Sequence, residues 1–462
     1  TVHFPIWHQE IEDIIVLKNN KGTEDNRVRK LDYSIQISKL FYERFIQNGE
    51  ISLFSPHDVP GLYDAFGTES FDDLYTSYES DGSVPRKTIG AQELFLDILK
   101  ERAETGRLYI MNIDHCNSHS SFLDKVEMSN LCQEITLPTK PLEHIDDPNG
   151  EIALCILSAV NVGKIRDLDD LKVLCDLAVR SLDELIDFQN YPINAAEIAT
   201  KARRSLGIGF IGLAHYLAKN GHDYNDPEAW QLVHNLTEAF QYYLISATVD
   251  LAEEKGACEY SGRTKYGNGI LPIDTYKHDV DEIVPNELRY DWENLRLRVK
   301  EHGVRNSTLS AQMPSESSSV VSNATNGIEP PRAYLSTKKS KKGTLKQVVP
   351  QYTSLKNNYT LLWDMSSNNG YINIVAVMQK FFDQAISGNW NYNPQQYDNN
   401  EVPVSVMAQD LLKTYKYGWK TSYYQNTYDS KNDEVDDSKS DLNQLISQLE
   451  NAEEEDCESC KI

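Results

Sequence analysis

A thiol, an amide and a carboxylate occupy alternate positions of the segment Asn130-Leu131-Cys132-Gln133-Glu134. In an extended segment, residues two and four positions apart share one face, so we expect Asn130, Cys132 and Glu134 to project together. An amide that hydrogen-bonds, a sulfur that reacts and a carboxylate that accepts a proton form a set suited to catalysis. The alternative is that Cys132 is a small hydrophobic residue without a chemical role.

Two neighbouring segments resemble adjoining parts of one enzyme family, the large catalytic subunit of class I ribonucleotide reductase. They are Ser129-Asn130-Leu131-Cys132 and Gly150-Glu151-Ile152-Ala153-Leu154-Cys155. The resemblance continues along essentially the whole chain, from His3-Phe4-Pro5-Ile6-Trp7-His8 to the terminal Cys-Lys-Ile. It implies an oxidoreductase that converts ribonucleoside diphosphates into 2′-deoxyribonucleoside diphosphates.

The resemblance assigns a role to each member of this set. It implies that Cys132 becomes a thiyl radical and abstracts the 3′-hydrogen of the substrate. Glu134 would take the proton of the 3′-hydroxyl as general base, and Asn130 would hold the substrate against the sulfur. Cys155 would be one member of the thiol pair that reduces the substrate radical and becomes a disulfide.

A serine-rich segment, Pro314-Ser315-Glu316-Ser317-Ser318-Ser319, suggests a phosphate site. Ser hydroxyls and unpaired backbone N–H groups at the start of a helix bind phosphate oxygens. The same residues are also typical of a simple helix N-cap. The longer string from Pro314 to Arg332 resembles the diphosphate-binding loop of the reductase family. That resemblance implies that the substrate diphosphate binds at Pro314, Ser315, Glu316, Ser317 and Ser318.

The doublet Tyr423-Tyr424 is typical of packing when taken alone, since the chain has 26 Tyr and a second doublet at Tyr242-Tyr243. Its surroundings, Tyr417 to Asn426, resemble the family segment whose paired tyrosines relay an oxidising equivalent. The relay runs from a radical-bearing small (beta) subunit to the active-site cysteine. Phenols suit this task because they lose an electron and a proton together.

The chain ends in Cys457-Glu458-Ser459-Cys460-Lys461-Ile462. A C-x-x-C pair is half of a zinc site, but no second Cys or His pair lies nearby to complete four ligands. A tethered dithiol instead suits thiol–disulfide exchange. The family carries such a pair at wider spacing, which implies that Cys457 and Cys460 pass electrons from thioredoxin or glutaredoxin. We predict no metal site.

Composition limits the classes of protein that need consideration. The chain has 462 residues, 40% hydrophobic and 25% charged, which is ordinary for a soluble globular protein. It has no apolar run of about 20 residues, so no membrane span is expected. A net charge of -25 argues against direct binding of nucleic acid. Seven Cys, an odd number, favour a reducing, cytoplasmic setting over a disulfide framework.

The pattern along the chain predicts an α/β fold, with helices at Asp167 to Asp187 and at Trp230 to Lys255. Gly207 to Gly212 matches G-x-G-x-x-G, but the preceding residues predict a helix where the dinucleotide fingerprint needs a strand. We therefore expect a glycine-containing strand packed closely inside a barrel. The resemblance implies a ten-stranded α/β barrel with the radical cysteine on a central finger loop.

Residues 1–428 are expected to form the C-terminal part of that barrel domain, and residues 429–462 an acidic, disordered redox tail. The tail holds twelve Asp or Glu against three Lys. The chain opens inside a strand-like segment, and no Cys precedes Cys116. We therefore expect a split or truncated subunit whose barrel is incomplete at its N-terminal side. An N-terminal companion fragment would supply the second reducing Cys.

The resemblance implies no directly bound cofactor. The radical would come from a metal-containing small subunit, and ATP and dNTP effectors would bind the missing N-terminal part. Two alternatives remain from the sequence: a catalytically silent assembly or binding subunit, and a cobalamin-dependent ribonucleotide reductase. The cobalamin-dependent class has no small subunit to relay from, so Tyr423-Tyr424 argues against it.

Overall fold

Short strands and helices alternate along the chain, as the sequence pattern predicts. The computed structural model describes residues 1–340 and 343–429. The strands are β1 (Val2–Pro5), β2 (Tyr33–Ile37), β3 (Glu50–Leu53), β4 (Lys87–Gly90), β5 (Leu108–Asn112), β6 (Ile156–Asn161), β7 (Leu206–Ile211), β8 (Leu335–Ser340), β9 (Gly343–Val348), β10 (Trp390–Tyr392), β11 (Thr421–Ser422) and β12 (Gln425–Thr427).

The helices connect and cover these strands. The α-helices are α1 (Ile11–Ile15), α2 (Lys39–Gln47), α3 (Leu62–Ala65), α4 (Phe71–Ser80), α5 (Ala91–Thr105), α6 (Ile113–Ser118), α7 (Asp170–Phe188), α8 (Asn194–Arg203), α9 (Leu213–Lys219), α10 (Pro227–Lys255), α11 (Pro272–Thr275), α12 (Trp292–His302), α13 (Glu316–Val321), α14 (Tyr352–Leu355), α15 (Asn369–Gln379) and α16 (Val404–Lys416). Short 3₁₀ turns lie at Glu24–Asn26, Val162–Lys164, Ser261–Arg263, Tyr266–Asn268, His278–Glu282, Leu362–Asp364, Pro394–Gln396 and Asp398–Asn400.

The largest sheet has the order β1-β2-β5-β11, in which the first three strands are parallel and β11 is antiparallel to β5. The pairs β6/β7 and β10/β12 are parallel, whereas β3/β4 and β8/β9 are antiparallel. The α/β class is thereby confirmed. No sheet closes on itself within residues 1–340 and 343–429, so these residues do not form a complete ten-stranded barrel.

Strands β2, β5 and β7 are buried along their whole length. Such strands are covered on both faces, which is the usual state of parallel sheets flanked by helices. Both predicted long helices are confirmed as α7 and α10. Helix α10 begins at Pro227, three residues before the predicted start. The Asp226 side chain caps it by accepting the Glu228 N–H, and proline fits the first helical position.

The glycine-rich segment forms β7, as expected, and it follows helix α8. A Cβ atom at Gly207 would lie 2.8 Å from the Cys155 sulfur, and one at Gly209 would lie 2.6 Å from the Ala311 carbonyl oxygen. These glycines therefore allow close packing of neighbouring chain segments. The dinucleotide fingerprint does not apply, because Gly207 and Gly209 lie within β7 and only Gly212 lies in the turn between β7 and α9.

In the part of the chain that the structure describes, no helix is both long and apolar enough to cross a lipid bilayer. The predicted redox tail, residues 429–462, lies outside the described residues except for Asp429. Cys457 and Cys460 belong to that tail. Their assignment, and the division of the chain at residue 428, stay predictions.

Candidate active site

The segment Asn130–Glu134 is a tight turn, so the prediction of an extended segment is wrong. The Gln133 N–H donates to the Asn130 carbonyl oxygen at 3.3 Å, and Gln133 has a φ of 73°, in the left-handed region. This conformation is unfavourable for a residue with a side chain. It is held by Ser34, whose hydroxyl donates to the Gln133 amide oxygen at 2.9 Å, and by Thr421, whose hydroxyl donates to the Gln133 carbonyl oxygen at 3.0 Å.

The turn nevertheless joins the amide to the carboxylate. The Asn130 Oδ1 atom accepts the Ile135 N–H at 3.1 Å, and the Asn130 amide also hydrogen-bonds to Glu134. The Glu134 side chain is only 2% exposed. Burial raises the pKa of Glu134, while hydrogen bonds from Asn130 and Ser387 partly oppose that rise. Glu134 is therefore a buried carboxyl group with the raised proton affinity that a general base requires.

Cys132 is half-buried at the centre of this turn. The Tyr423 hydroxyl donates to the Cys132 sulfur at 3.4 Å, and the Ser387 hydroxyl donates to the Cys132 carbonyl oxygen at 2.5 Å. Burial raises the pKa of the Cys132 thiol, and the hydrogen bond from Tyr423 opposes this only in part. The sulfur keeps its hydrogen at neutral pH. This suits hydrogen-atom chemistry better than thiolate attack.

Tyr423 and Tyr424 connect the largest sheet to the β10/β12 pair, because β11 ends before them and β12 begins after them. Their ring centroids are 3.9 Å apart. Tyr423 is 3% exposed and Tyr424 is half-buried. The Arg102 guanidinium donates to the Tyr423 carbonyl oxygen at 2.8 Å and fixes the doublet. The side chains of Cys132, Tyr423 and Tyr424 thus form a continuous row of contacts.

Tyr109 on β5 packs against both members of the doublet. Its ring centroid lies 4.8 Å from that of Tyr423 and 5.9 Å from that of Tyr424. Sequence reasoning missed this residue because it lies more than 300 positions before its partners. The only local signal is the apolar, strand-like run Leu108-Tyr109-Ile110 that contains it. Tyr109 holds the phenol rings of the doublet close together.

Cys155 immediately precedes β6 and is a free thiol. The Gln384 side-chain amide donates to the Cys155 sulfur at 3.6 Å. Burial raises the pKa of the Cys155 thiol, and the negative charge of Glu134 raises it further. Cys155 therefore belongs to the same electrostatic environment as Glu134. Cys116 is buried elsewhere, where its thiol donates to the Lys420 carbonyl oxygen at 3.7 Å.

The serine-rich segment Pro314 to Ser318 includes the start of α13, which begins at Glu316. Ser315 is buried, and its hydroxyl donates to the Met313 carbonyl oxygen at 3.0 Å instead of capping the helix. The other four residues of the segment are exposed, namely Pro314, Glu316, Ser317 and Ser318. A cavity of about 260 Å³ borders Glu316 and Ser319. The start of α13 is thus accessible to a ligand.

The loop before β10 supplies further contacts that sequence reasoning missed. Ser387 and Gln384 reach the two cysteines, as described above. The Asn389 Oδ1 atom accepts the Tyr424 N–H at 3.1 Å, and its Nδ2 atom donates to Glu329 at 3.2 Å. Burial raises the pKa of Glu329 to about 7. No spacing signal could reveal these residues, since Ser387 follows Cys132 by 255 positions.

Within residues 1–340 and 343–429, one group of side chains has the spacing of cation ligands, namely His222, Asp226 and Glu228, whose ligand atoms lie within 4.8 Å of one another. His222 Nδ1 lies 2.6 Å from the Asp226 carboxylate. Asp226 is also the N-cap of α10. Helix capping therefore accounts for this cluster, which is not joined to the cysteine site.

Residues 1–358 and 351–425 match the family model described as the barrel domain of ribonucleotide reductase. The chain therefore belongs to the ribonucleotide reductase family, and the resemblance found in the sequence is confirmed. It is 58% identical over 442 residues, 95% of its length, to ribonucleoside-diphosphate reductase subunit alpha of Haemophilus influenzae. It is 54% identical over 442 residues, again 95% of its length, to ribonucleoside-diphosphate reductase 1 subunit alpha of Escherichia coli.

A more distant relative covers the chain completely. The chain is 42% identical over 472 residues, 100% of its length, to ribonucleoside-diphosphate reductase subunit alpha of Enterobacteria phage T4. It spans 58% of the Haemophilus influenzae and Escherichia coli proteins and 60% of the phage protein. The similarity therefore concerns somewhat more than half of each relative.

Proposed function

We propose that this chain is a catalytic part of a ribonucleoside-diphosphate reductase, which makes 2′-deoxyribonucleoside diphosphates for DNA synthesis. One observation carries the proposal: the Tyr423 hydroxyl contacts the Cys132 sulfur at 3.4 Å, and the Tyr424 ring packs against the Tyr423 ring with the centroids 3.9 Å apart. A doublet that served only packing would not need a hydrogen bond to a half-buried thiol. The names of the relatives, which are reductase alpha subunits, agree with this proposal.

The contacts support transfer of a hydrogen atom along the row. When oxidised Tyr423 lacks its phenolic hydrogen, the S–H bond of Cys132 breaks and a new O–H bond forms on Tyr423. Electron and proton move together, so no net charge is created in the buried site, where an unpaired charge is costly. Tyr424, half-buried, would pass the oxidising equivalent inward from a radical-bearing, metal-containing small (beta) subunit.

On the substrate, the Cys132 thiyl radical takes the 3′-hydrogen, so that an S–H bond forms as the C3′–H bond breaks. Glu134 takes the 3′-hydroxyl proton, and Asn130 holds both Glu134 and the substrate. The C2′ hydroxyl takes a proton from the thiol pair and leaves as water. Cys155 and a second thiol together supply two electrons and two protons, one proton for the departing water and one for C2′, and become a disulfide. Glu134 then returns its proton to the 3′ oxygen, and Cys132 returns the 3′-hydrogen to C3′ and is again a thiyl radical. The substrate diphosphate binds at the start of α13, at Pro314, Ser315, Glu316, Ser317 and Ser318.

We infer that the second thiol comes from a companion polypeptide, since none of the five described cysteines is bonded to another and the Cys155 sulfur contacts Gln384. Strand β6 pairs with β7 along one edge, and within the described residues its other edge pairs with no strand. Near this open edge, Leu157 on β6 is 43% exposed and Val173 on α7 is 61% exposed. A groove of about 560 Å³ runs between β6 and α7. Open strand edges and apolar patches favour a covering partner.

We therefore predict that residues 1–462 with the small subunit alone give no sustained product. Activity appears when a companion polypeptide supplies the missing barrel strands and a Cys that pairs with Cys155. Chromatographic assay of deoxyribonucleotide in the presence and absence of that companion measures the effect. Val173→Asp should weaken association with the companion, whereas a charge at exposed Leu297, on α12, which does not line this groove, should not. Robust turnover without the companion contradicts this prediction.

The same companion would carry the sites for ATP and dNTP effectors. A silent assembly or binding subunit is the second candidate function. It is disfavoured because the contacts joining Tyr423, Cys132 and Glu134 are all present, and an assembly role does not require them. A cobalamin-dependent reductase is disfavoured by the same contact of Tyr423 with Cys132, since that class has no small subunit from which tyrosines could relay.

Residues 429–462 are proposed to act as a redox tail attached to the barrel domain of residues 1–428. Cys457→Ser combined with Cys460→Ser should permit about one round of product from pre-reduced enzyme and block further rounds with thioredoxin or glutaredoxin. The internal disulfide can then no longer be passed outward. A small dithiol such as dithiothreitol should restore turnover, because it reaches that disulfide directly. Many turnovers with the protein reductant would show that the tail is not the shuttle.

A further inference from the structure

The Ser387 hydroxyl lies between the backbone of Cys132 and the side chain of Glu134. Its oxygen is 2.5 Å from the Cys132 carbonyl oxygen and 3.1 Å from the Glu134 Oε2 atom. A hydroxyl has a single proton to donate and two lone pairs that accept. Ser387 therefore cannot donate fully to both oxygens at once. Which of them receives its proton depends on whether Glu134 carries a proton of its own.

The backbone around Ser387 is fixed without help from the hydroxyl. The Ser387 N–H donates to the Gln312 carbonyl oxygen at 2.9 Å, and the Ala385 N–H donates to the Glu134 carbonyl oxygen at 3.0 Å. The Thr421 hydroxyl lies 3.1 Å from the Ile386 carbonyl oxygen and shares its proton between this oxygen and the Gln133 carbonyl oxygen. These bonds hold residues 385–387 from three directions. The Ser387 hydroxyl can consequently be removed without loss of the loop.

We propose that Ser387 is a positioning residue whose hydroxyl couples the protonation of Glu134 to the backbone of Cys132. While Glu134 is ionised, its carboxylate shares the Ser387 proton with the Cys132 carbonyl oxygen. When Glu134 takes up a proton, the carboxyl O–H donates to the Ser387 oxygen, and Ser387 donates wholly to Cys132. No proton is lost or gained besides the one that arrives at Glu134.

The consequence for catalysis rests on the proposed function, in which the arriving proton comes from the 3′-hydroxyl of the substrate. Proton uptake by Glu134 then strengthens the hydrogen bond on the Cys132 carbonyl group. The turn that carries the sulfur is held more firmly just after the sulfur has taken the 3′-hydrogen. The coupling between Ser387, Glu134 and Cys132 does not itself depend on any substrate.

The titratable groups near Glu134 do not obscure this coupling. The thiols of Cys132 and Cys155 both feel the charge of Glu134, and burial keeps both protonated at neutral pH. The Tyr423 phenol stays protonated for the same reason, and Asp383 acts on Cys155. The pKa of Glu134 is governed by burial and by its hydrogen bonds with Asn130 and Ser387.

Infrared spectroscopy of the full chain, labelled with carbonyl-¹³C cysteine and titrated with acid, tests the coupling. Glu134→Gln identifies the Glu134 carboxyl band, and Cys132→Ser identifies the labelled Cys132 carbonyl band. In the native chain, the Cys132 band should shift over the same pH interval in which the Glu134 carboxyl band appears. In Ser387→Ala, Glu134 should titrate at higher pH and the Cys132 band should stay fixed. Ser387→Thr should restore both behaviours.

Two results would overturn the coupling: a Cys132 band that does not move while Glu134 titrates, or an equal shift in Ser387→Ala. Neither measurement requires turnover, so failure of the proposed reductase activity would be seen separately. In assembled enzyme, Ser387→Ala should lower turnover roughly tenfold. In a plot of turnover against pH, the acidic limb should move to higher pH in this variant, because loss of the hydrogen bond from Ser387 raises the pKa of Glu134.

Ser34→Ala is the matched control for the kinetic test. It removes a buried hydroxyl that contacts the same turn, at the Gln133 side-chain amide oxygen, but contacts neither Glu134 nor residues 385–387. It should change stability while leaving the acidic limb of the pH profile in place. An identical displacement of that limb in Ser34→Ala and Ser387→Ala would show a merely structural effect and would overturn the proposal.

Discussion

Cys132→Ser is expected to eliminate formation of deoxyribonucleotide by the assembled enzyme while leaving binding of the substrate nearly intact. Serine preserves the shape of the residue and its place in the turn. Its O–H bond is too strong to be broken by the tyrosyl radical at Tyr423, so no radical reaches the substrate. A barrier raised by about 4 kcal/mol or more reduces the rate roughly 1,000-fold. Product assay and equilibrium binding of the ribonucleoside diphosphate measure the two effects.

Cys175→Ser is the control for this prediction. Cys175 is a buried thiol on α7 that donates to the Phe240 carbonyl oxygen at 3.8 Å. Serine keeps that donor, so Cys175→Ser should retain activity with at most a modest loss of stability. Measurable turnover in Cys132→Ser would remove Cys132 from its proposed role. Equal loss of activity in both variants would attribute the effect to folding.

Tyr423→Phe and Tyr424→Phe should each abolish turnover without changing the fold. Each substitution removes a single hydroxyl and leaves the ring contact of 3.9 Å between the two side chains in place. Loss of the Tyr423 hydrogen bond to Cys132 costs about 1 kcal/mol, too little to unfold the chain. A benzene ring without a hydroxyl, however, cannot give up a hydrogen atom. Activity, circular dichroism and binding of the small subunit should be measured together.

The second doublet provides a matched control. Tyr242 and Tyr243 lie on α10 with ring centroids 5.7 Å apart, and Tyr242 packs against Trp292. Tyr242→Phe and Tyr243→Phe should therefore leave turnover near that of the native chain. Activity within a few-fold of native in both Tyr423→Phe and Tyr424→Phe would instead assign the first doublet to packing.

Local chemistry could be predicted from the sequence, but its geometry could not. Asn130, Cys132 and Glu134 were identified together, yet the reasoning assumed alternation along an extended segment. The structure has a turn at Gln133, because hydrogen bonds from Ser34 and Thr421 stabilise a left-handed conformation that intrinsic preference disfavours. Tertiary contacts from distant segments determine the backbone conformation at Gln133. The residues that make these contacts are not among the sequence neighbours of the turn, so local sequence could not predict it.

The regular elements followed periodicity more closely. The apolar spacing of α7 and α10 and the glycine pattern of β7 predicted these elements to within a few residues. The residues that adjust the site, such as Ser387 and Gln384, carry no motif. Their function depends on where a loop more than 200 positions away is placed. Closure of the barrel also could not be predicted from the spacing of apolar and polar residues, since the order of strands in a sheet depends on long-range pairing.

The proposed function is a part in radical-initiated reduction of ribonucleoside diphosphates, with a radical delivered from a separate subunit. The most direct measurement is chromatographic detection of 2′-deoxyribonucleoside diphosphate in a complete mixture of this chain, its companion polypeptide, the radical-bearing small subunit, substrate and reductant. We expect product in the complete mixture and none when the small subunit is omitted or its radical is quenched. Absence of product from the complete mixture, or undiminished product without the radical, would contradict the proposed function.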